Sequence, residues 1–226
     1  MAVQGTAGTA RPDGRATRWA GHREQRRREM VEVAVRVIER DGPAASVDQI
    51  AAEIGVGRQV LYRQFDDRAD LDGAIAERGI ELLLDDLLPA VARAADGETG
   101  GDARIHDGLL AYLDHVERHP AMYRFLRSYD SSRQGGPDPV QRVKELLATL
   151  LAEKAGTGQP DAATRVLAVG IIGLAEAVVD DWLDHTVRPS RDEVLAQLAV
   201  MVRGVGALAG RPPAAPAPRT SPEAAP

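Results

Sequence analysis

The stretch Ser46-Val-Asp-Gln-Ile-Ala-Ala-Glu-Ile-Gly-Val-Gly-Arg-Gln-Val-Leu-Tyr-Arg-Gln-Phe65 decides the fold. Val47, Ile50, Ala51 and Ile54 recur at helical spacing, so one face of a short helix is apolar. Ser46 stands where an N-cap hydroxyl is needed. Gly55 ends this helix after two turns, because glycine takes the left-handed backbone that a sharp turn requires. The spacing predicts a further helix over 57–64, with Leu61 and Phe65 pointing inward. Ala51, five residues before Val56, is small where the two helices cross. Two short helices joined by a tight turn are the geometry of a helix-turn-helix.

Outward from this pair the chain reads as helix after helix. Val31, Ala34, Val35 and Ile38 form one apolar stripe of a helix over 22–40, stopped by Asp41-Gly42-Pro43. A longer helix starts near Ala69 and carries Leu71, Ile75, Leu82, Leu83 and Leu87, with Pro89 near its end. Residues 95–102 read as a flexible connection, and Gly135-Gly136-Pro137 as a break. Helices are predicted over 103–118, from Pro120, over 139–155, over 160–185 and over 190–209. No stretch alternates like a strand, and there is no internal repeat. The expected class is all-α, about nine helices, with a three-helix N-terminal domain over 22–70 and a larger helical domain over 71–210. Residues 1–21 read as a disordered arm, and 211–226, with six prolines, as a disordered tail.

Composition narrows the classes. The 226 residues contain no cysteine, which excludes a disulfide scaffold, a thiolate nucleophile and a cysteine zinc site. Aromatic residues are 4%, so the core is aliphatic. No uninterrupted apolar run approaches the roughly 18 residues of a membrane span, and no apolar segment follows the start as in a secretory signal. The expectation is a cytoplasmic protein without a membrane partner. Net charge is −6, but residues 1–70 carry +1 and residues 71–210 carry −8. Residues 1–31 hold seven arginines against three acids, which suggests that this end meets a polyanion.

In a helix-turn-helix the second helix lies in the DNA major groove with its N-terminal residues at the base edges. Those residues here are Gly57, Arg58, Gln59 and Val60. Arg58 has the fork that matches guanine or a phosphate instead, and Gln59 the amide that matches adenine or another base edge. Tyr62, Arg63 and Arg68 are placed for phosphates, and Ser46 sits at a helix end where an anion is also favoured. Arg26, Arg27 and Arg28 read first as a solvated helix face. Arg11, Arg15 and Arg18 of the arm either follow the minor groove or are inert. Asp66 and Asp67 repel DNA unless they cap the next helix.

Residues 22–71 resemble the DNA-binding domain of the tetracycline-repressor (TetR) family. The likeness is carried by the Ile-Ala-x-x-x-Gly-Val core, by Leu61-Tyr62-Arg63-x-Phe65, and by Arg68 and Leu71 beyond it. Gly57, Arg58 and Gln59 depart from the residues common in the family there, which bears on the bases read. The resemblance implies a sequence-specific transcriptional regulator, a ligand-responsive repressor that binds an inverted-repeat operator of double-stranded DNA as a dimer. The alternatives are a non-specific architectural DNA-binding protein and a helical partner-binding adaptor.

The resemblance also implies a second domain that forms the dimer and takes an unidentified small-molecule effector. The segment from Leu167 to Val179 is apolar on nearly every side and must be covered. Gly170 and Gly173 allow a close neighbour. The expected dimer residues are Val166, Gly170, Gly173 and Leu174, with Leu195, Leu198, Val202 and Val205 of the last helix. Candidate effector-pocket residues are Tyr112, His115, Met122, Tyr123, Leu126, Glu176 and Trp182, although aromatics over 122–129 also suit a core. Glu176 either receives a cationic ligand or pairs with an arginine such as Arg127 or Arg165. His115 and His119 have i, i+4 spacing, but no third ligand lies within sequence reach, so no metal, cofactor or catalytic group is assigned. The sequence shows no nucleophile elbow, phosphate loop or dinucleotide fingerprint, and the expectation is not an enzyme.

Overall fold

The computed structural model describes residues 14–95, 100–129, 138–154, 159–185 and 188–209. Among them nine helices follow one another: α1 Gly14–Asp41, α2 Val47–Ile54, α3 Arg58–Leu61, α4 Arg68–Ala95, α5 Gly100–Arg118, α6 Pro120–Ser128, α7 Pro139–Lys154, α8 Ala162–Asp184 and α9 Arg191–Ala209. The all-helical class and the helix order agree with the sequence reading. The Gly135-Gly136-Pro137 break, most of the arm and the Pro-rich tail lie outside the described residues.

Three boundaries differ from expectation, one being the start of α5 at Gly100, inside the segment 95–102 read as a flexible connection. The first helix begins at Gly14 rather than near residue 22. Arg15, Ala16 and Arg18 are good helix formers, and the helix carries Gly21 in its interior. The helix over 57–64 shortens to Arg58–Leu61. Beyond it the chain tightens, with Arg63 N donating to Val60 O and Gln64 N to Leu61 O, so the turn continues in 3₁₀ fashion before Phe65.

The helices form two compact units, which divide the chain differently from a cut at residue 70. The first comprises residues up to Leu87 together with Asp114–Arg142; the second comprises Leu88–Leu113 and the residues from Val143 onward. In the first unit the buried faces of α1, α2, α3, α4 and α6 share one core. Ala34, Val37, Ile38, Ile50, Leu61, Phe65, Leu71, Ile75 and Met122 are almost wholly removed from solvent. α4 and α6 approach closely at Gly79, where an added Cβ would lie 2.9 Å from the Met122 sulfur.

Polar staples fix this core. Arg27 of α1 sends both terminal nitrogens to Asp70 of α4, at 2.9 and 2.6 Å, and also donates to the Gln64 carbonyl at 2.7 Å. Its guanidinium carbon lies 4.3 Å above the centre of the Phe65 ring. Arg27 is therefore a structural residue rather than part of a solvated face. Arg78 of α4 adds a second link to α1 through Glu32 at 2.5 Å.

In the second unit α8 and α9 pack along Ala168, Ile171, Ala175 and Val179 on one side and Val194, Leu195, Leu198 and Val202 on the other. The Trp182 indole donates to the Pro189 carbonyl at 3.0 Å, closing the turn between them. Asp161 caps α8 by accepting from Thr164 N, and Ser190 caps α9 by accepting from Glu193 N. α8 has the length and composition of a membrane span, with a window of mean hydropathy 1.8. The expectation from uninterrupted runs missed this, because isolated charges such as Glu176 break a run without much lowering its mean.

The Arg27–Asp70 staple gives a pH signature. The Arg27 guanidinium holds the Asp70 carboxyl below its ordinary value of 3.8. A carboxylate with a depressed folded pKa contributes stability in full above its unfolded pKa and loses it as pH falls through the folded one. In urea titrations the parent is expected to exceed Asp70→Asn in stability throughout pH 5–7, with the gap narrowing only below about pH 4. A gap that stays constant from pH 7 to pH 3 would show that the ionised pair contributes nothing.

Candidate nucleic-acid interface

The reading head is built by caps at both ends of a very short helix. The Ser46 hydroxyl accepts from Gln49 N at 3.2 Å, while Ser46 N donates to the Gln49 side-chain oxygen at 2.8 Å, a complete capping box. At the other end Gly55 has φ +78°, and its N–H and that of Val56 reach back to Ala52 and Ala51 carbonyls. The left-handed backbone at Gly55 turns the chain at once into α3. Leu61 and Phe65 anchor α3 in the core, leaving its other side outward.

That outward side carries the expected contacts. Gly57, Arg58, Gln59, Tyr62 and Arg63 are exposed, Val60 is half-buried, and nothing lies within 4 Å of where a Gly57 side chain would begin. The α3 N-terminus is thus bare, with no side chain capping its first amides. Arg58 is not wholly idle. Its Nε and Nη2 both meet the Asp48 carboxylate at 2.9 Å, on the surface between α2 and α3. An exposed pair of this kind is worth at most about 1 kcal/mol and is readily exchanged.

Arg68 is placed differently from a free phosphate ligand. Its Nε contacts both oxygens of Asp72 at 2.8 Å, and its Nη2 donates to the Ala45 carbonyl at 3.2 Å, fastening the start of α4 to the residue before Ser46. Asp67 caps α4 by accepting from Asp70 N at 2.8 Å, which answers one of the two acids flagged beside the phosphate positions. Asp66 contributes its backbone N–H to Asp70 at 2.9 Å. Sequence reasoning missed Asp70 as the hub of this corner. Its only local signal was its place three residues after a capping aspartate.

The proposed effector residues fall in both units. His115, Met122, Tyr123 and Leu126 belong to the first unit, and Tyr112, Glu176 and Trp182 to the second. Met122 and Tyr123 are core residues, as their aromatic neighbourhood allowed, and Trp182 is a buried turn lock rather than an open wall. His115 is buried beside Asp86, at 2.6 Å. Tyr112 and Glu176 are half-buried.

The dimer residues also separate. Leu195, Leu198 and Val202 are buried within the chain. Helical periodicity alone could not say which of two apolar faces turns inward. The outward stripes are Val166, Val169, Gly170 and Gly173 on α8, and Val200, Met201 and Gly204 on α9. Leu174 and Val205 are half-buried between the two faces.

A capped helix-turn-helix with an exposed, guanidinium-bearing second helix, on an otherwise helical chain, defines a DNA-binding regulator. Residues 30–81 match the family model for bacterial regulatory proteins of the tetR family, and residues 102–204 match that for the tetracyclin repressor-like C-terminal domain. An uncharacterized HTH-type transcriptional regulator of Mycobacterium tuberculosis is 30% identical over 204 residues, covering 89% of this chain and 86% of that protein. A tetR-family regulator from Streptomyces coelicolor has a similar structure, with TM-score 0.63, 23% identity and 82% of each chain covered. The regulator LfrR from Mycobacterium smegmatis, solved in complex with proflavine, superposes with TM-score 0.53 at 22% identity, covering 79% of this chain and 95% of LfrR. The chain belongs to the TetR family and is a DNA-binding transcriptional regulator.

The capping box should be measurable in isolation. Ser46→Ala is expected to destabilise the chain by about 1 kcal/mol in urea unfolding, while Ser46→Asp retains most of the stability. Equal losses in both variants would mean that the hydroxyl serves something other than the helix end.

Proposed function

We propose that this regulator is a ligand-responsive repressor that binds an inverted-repeat operator as a homodimer in the cytoplasm. The observation that carries the operator reading is the bare, exposed N-terminal turn of α3, with Arg58 and Gln59 at its tip and Leu61 and Phe65 holding it from behind. Arg58 exchanges Asp48 for a guanine edge, Gln59 reads its neighbour, and Tyr62 and Arg63 hold phosphates. Arg68 serves the interface by positioning α4 against the Ser46 end of α2. A net +1 over residues 1–70 is meagre for a binder that relies on charge alone, which favours reading over coating.

The dimer reading rests on the two outward stripes of the second unit. On α8, Val166, Val169, Gly170 and Gly173 follow i, i+3, i+4, i+7, and on α9 Val200, Met201 and Gly204 stand exposed at i, i+1, i+4. Val166 is 72% exposed and Val200 57%, an unusual cost for aliphatic side chains that a second copy removes. Open space over Gly170, Gly173 and Gly204 allows backbones to come close. A two-fold contact of this face places two heads on one operator, and hence an inverted repeat. The structure of LfrR with proflavine supports a small organic effector in the same fold. Such a molecule relieves repression only if it binds the DNA-incompetent arrangement better than the competent one.

Selection of DNA from a random pool, at two salt concentrations, tests this reading. An enriched inverted repeat is expected, and Arg58→Ala should then lose about 1–3 kcal/mol of affinity and relax preference at one base pair per half-site. Sequence-blind binding that collapses as salt rises would replace the operator reading with an architectural one. For the dimer, Val169→Asp is expected to give a folded monomer by sedimentation and to lose the paired half-site preference. A dimer unaffected by that charge would move the interface elsewhere.

A further inference from the structure

The first unit holds a polar cluster that DNA reading does not use. Asp86 of α4, His115 of α5 and His119 between α5 and α6 each offer a ligand atom, and these atoms lie within 4.8 Å of one another. His115 is 3% exposed. Its Nδ1 lies 2.6 Å from Asp86 Oδ2, and Arg118 Nη2 reaches the same oxygen at 2.9 Å. His119 Nδ1 lies 3.0 Å from Glu39 Oε1 of α1, and the two imidazole rings stand 4.8 Å apart.

We propose that Asp86, His115 and His119 form a binding site for one divalent transition-metal ion of the zinc type, with Glu39 orienting His119. Two imidazoles and one carboxylate suit Zn²⁺, Co²⁺ or Ni²⁺, whereas Mg²⁺ and Ca²⁺ favour an all-oxygen set. The carboxylate on His119 Nδ1 is the outer partner that fixes a ligating ring and directs its other nitrogen to the metal. A tetrahedral ion places its ligand atoms about 3.3 Å apart, so the widest gap must close by roughly 1.5 Å. Side-chain torsions supply this, because Asp86 and His119 are each only partly covered, at 29% and 30% exposure. The same openness gives the ion a way in and leaves a fourth position to water. Arg118 is the obstacle, since it holds the Asp86 oxygen. Its side chain is 53% exposed and turns out into solvent as the ion takes its place.

The ligands come from α4, from α5 and from the junction of α5 with α6, and Glu39 comes from α1. The bound ion fastens these elements to one another within the unit that carries the reading head. This makes the metal an inorganic input to the regulator. The inference rests on the cluster's own geometry and is independent of the operator.

Equilibrium dialysis of the tag-free full chain against Zn²⁺, with Co²⁺ absorption as the spectroscopic probe, tests it. One ion per chain and a Co²⁺ spectrum of tetrahedral type are expected. His119→Gln and Asp86→Asn should each abolish both, with circular dichroism unchanged. Glu39→Gln should weaken binding about 10–100-fold. Absence of stoichiometric binding, or binding that survives both His119→Gln and Asp86→Asn, would overturn the site, the latter by placing the ion on other carboxylates. DNA selection with metal-free chain reads the operator separately, so failure of one leaves the other standing.

Discussion

The guanidinium of Arg27 is the contact on which the DNA-reading unit depends. It joins α1 to the first turn of α4 through Asp70, and it takes the carbonyl of Gln64 as the chain leaves α3. Its flat face covers Phe65, whose ring is otherwise sealed in the core. Each partner thereby does two jobs. Asp70 also accepts the backbone N–H of Asp66, and Phe65 also anchors the chain just after α3. A planar, delocalised cation can satisfy a carboxylate, a carbonyl and an aromatic face together, which a lysine ammonium cannot.

Such a corner is needed because the reading helices cannot stand alone. α2 has eight residues and α3 four, well below the roughly 12–15 at which an isolated helix becomes even marginal. Their order comes from outside: the Ser46–Gln49 box at one end, the left-handed Gly55 at the turn, Leu61 and Phe65 beneath, and Arg68 holding the Ala45 carbonyl. The polar tip of α3 is therefore presented on a rigid seat.

Most of this seat was legible in the sequence, because it is local. Ser46 and Gln49 are three residues apart, Gly55 sits at the stop of an apolar period, and Leu61 and Phe65 share a face. What was not legible is what lies far apart in the chain. Arg27 stood within a run of three arginines, and nothing local distinguishes the one that meets Asp70, 43 positions away. His115 and His119 were visible as a pair, but Asp86, 29 positions before His115, comes from another helix. The extent of α3 was overestimated for a different reason. Periodicity does not separate an α turn from the tighter one that carries Arg63 and Gln64.

The last helix presents two apolar faces, and a period alone does not rank them. Leu195, Leu198 and Val202 form one apolar face of α9, and Val200, Met201 and Gly204 form another. Only packing chooses, and α8 takes the larger, branched set of α9 for itself. The remaining stripe is made of small and β-branched residues, apart from Met201. Valine and glycine leave a shallow, stiff surface with little side-chain entropy to lose on contact, unlike a surface of long flexible chains. The face kept inside binds α8 to α9 by volume, and the face left outside is shaped for close approach. One face of α9 folds the unit with α8, and the other is left to solvent.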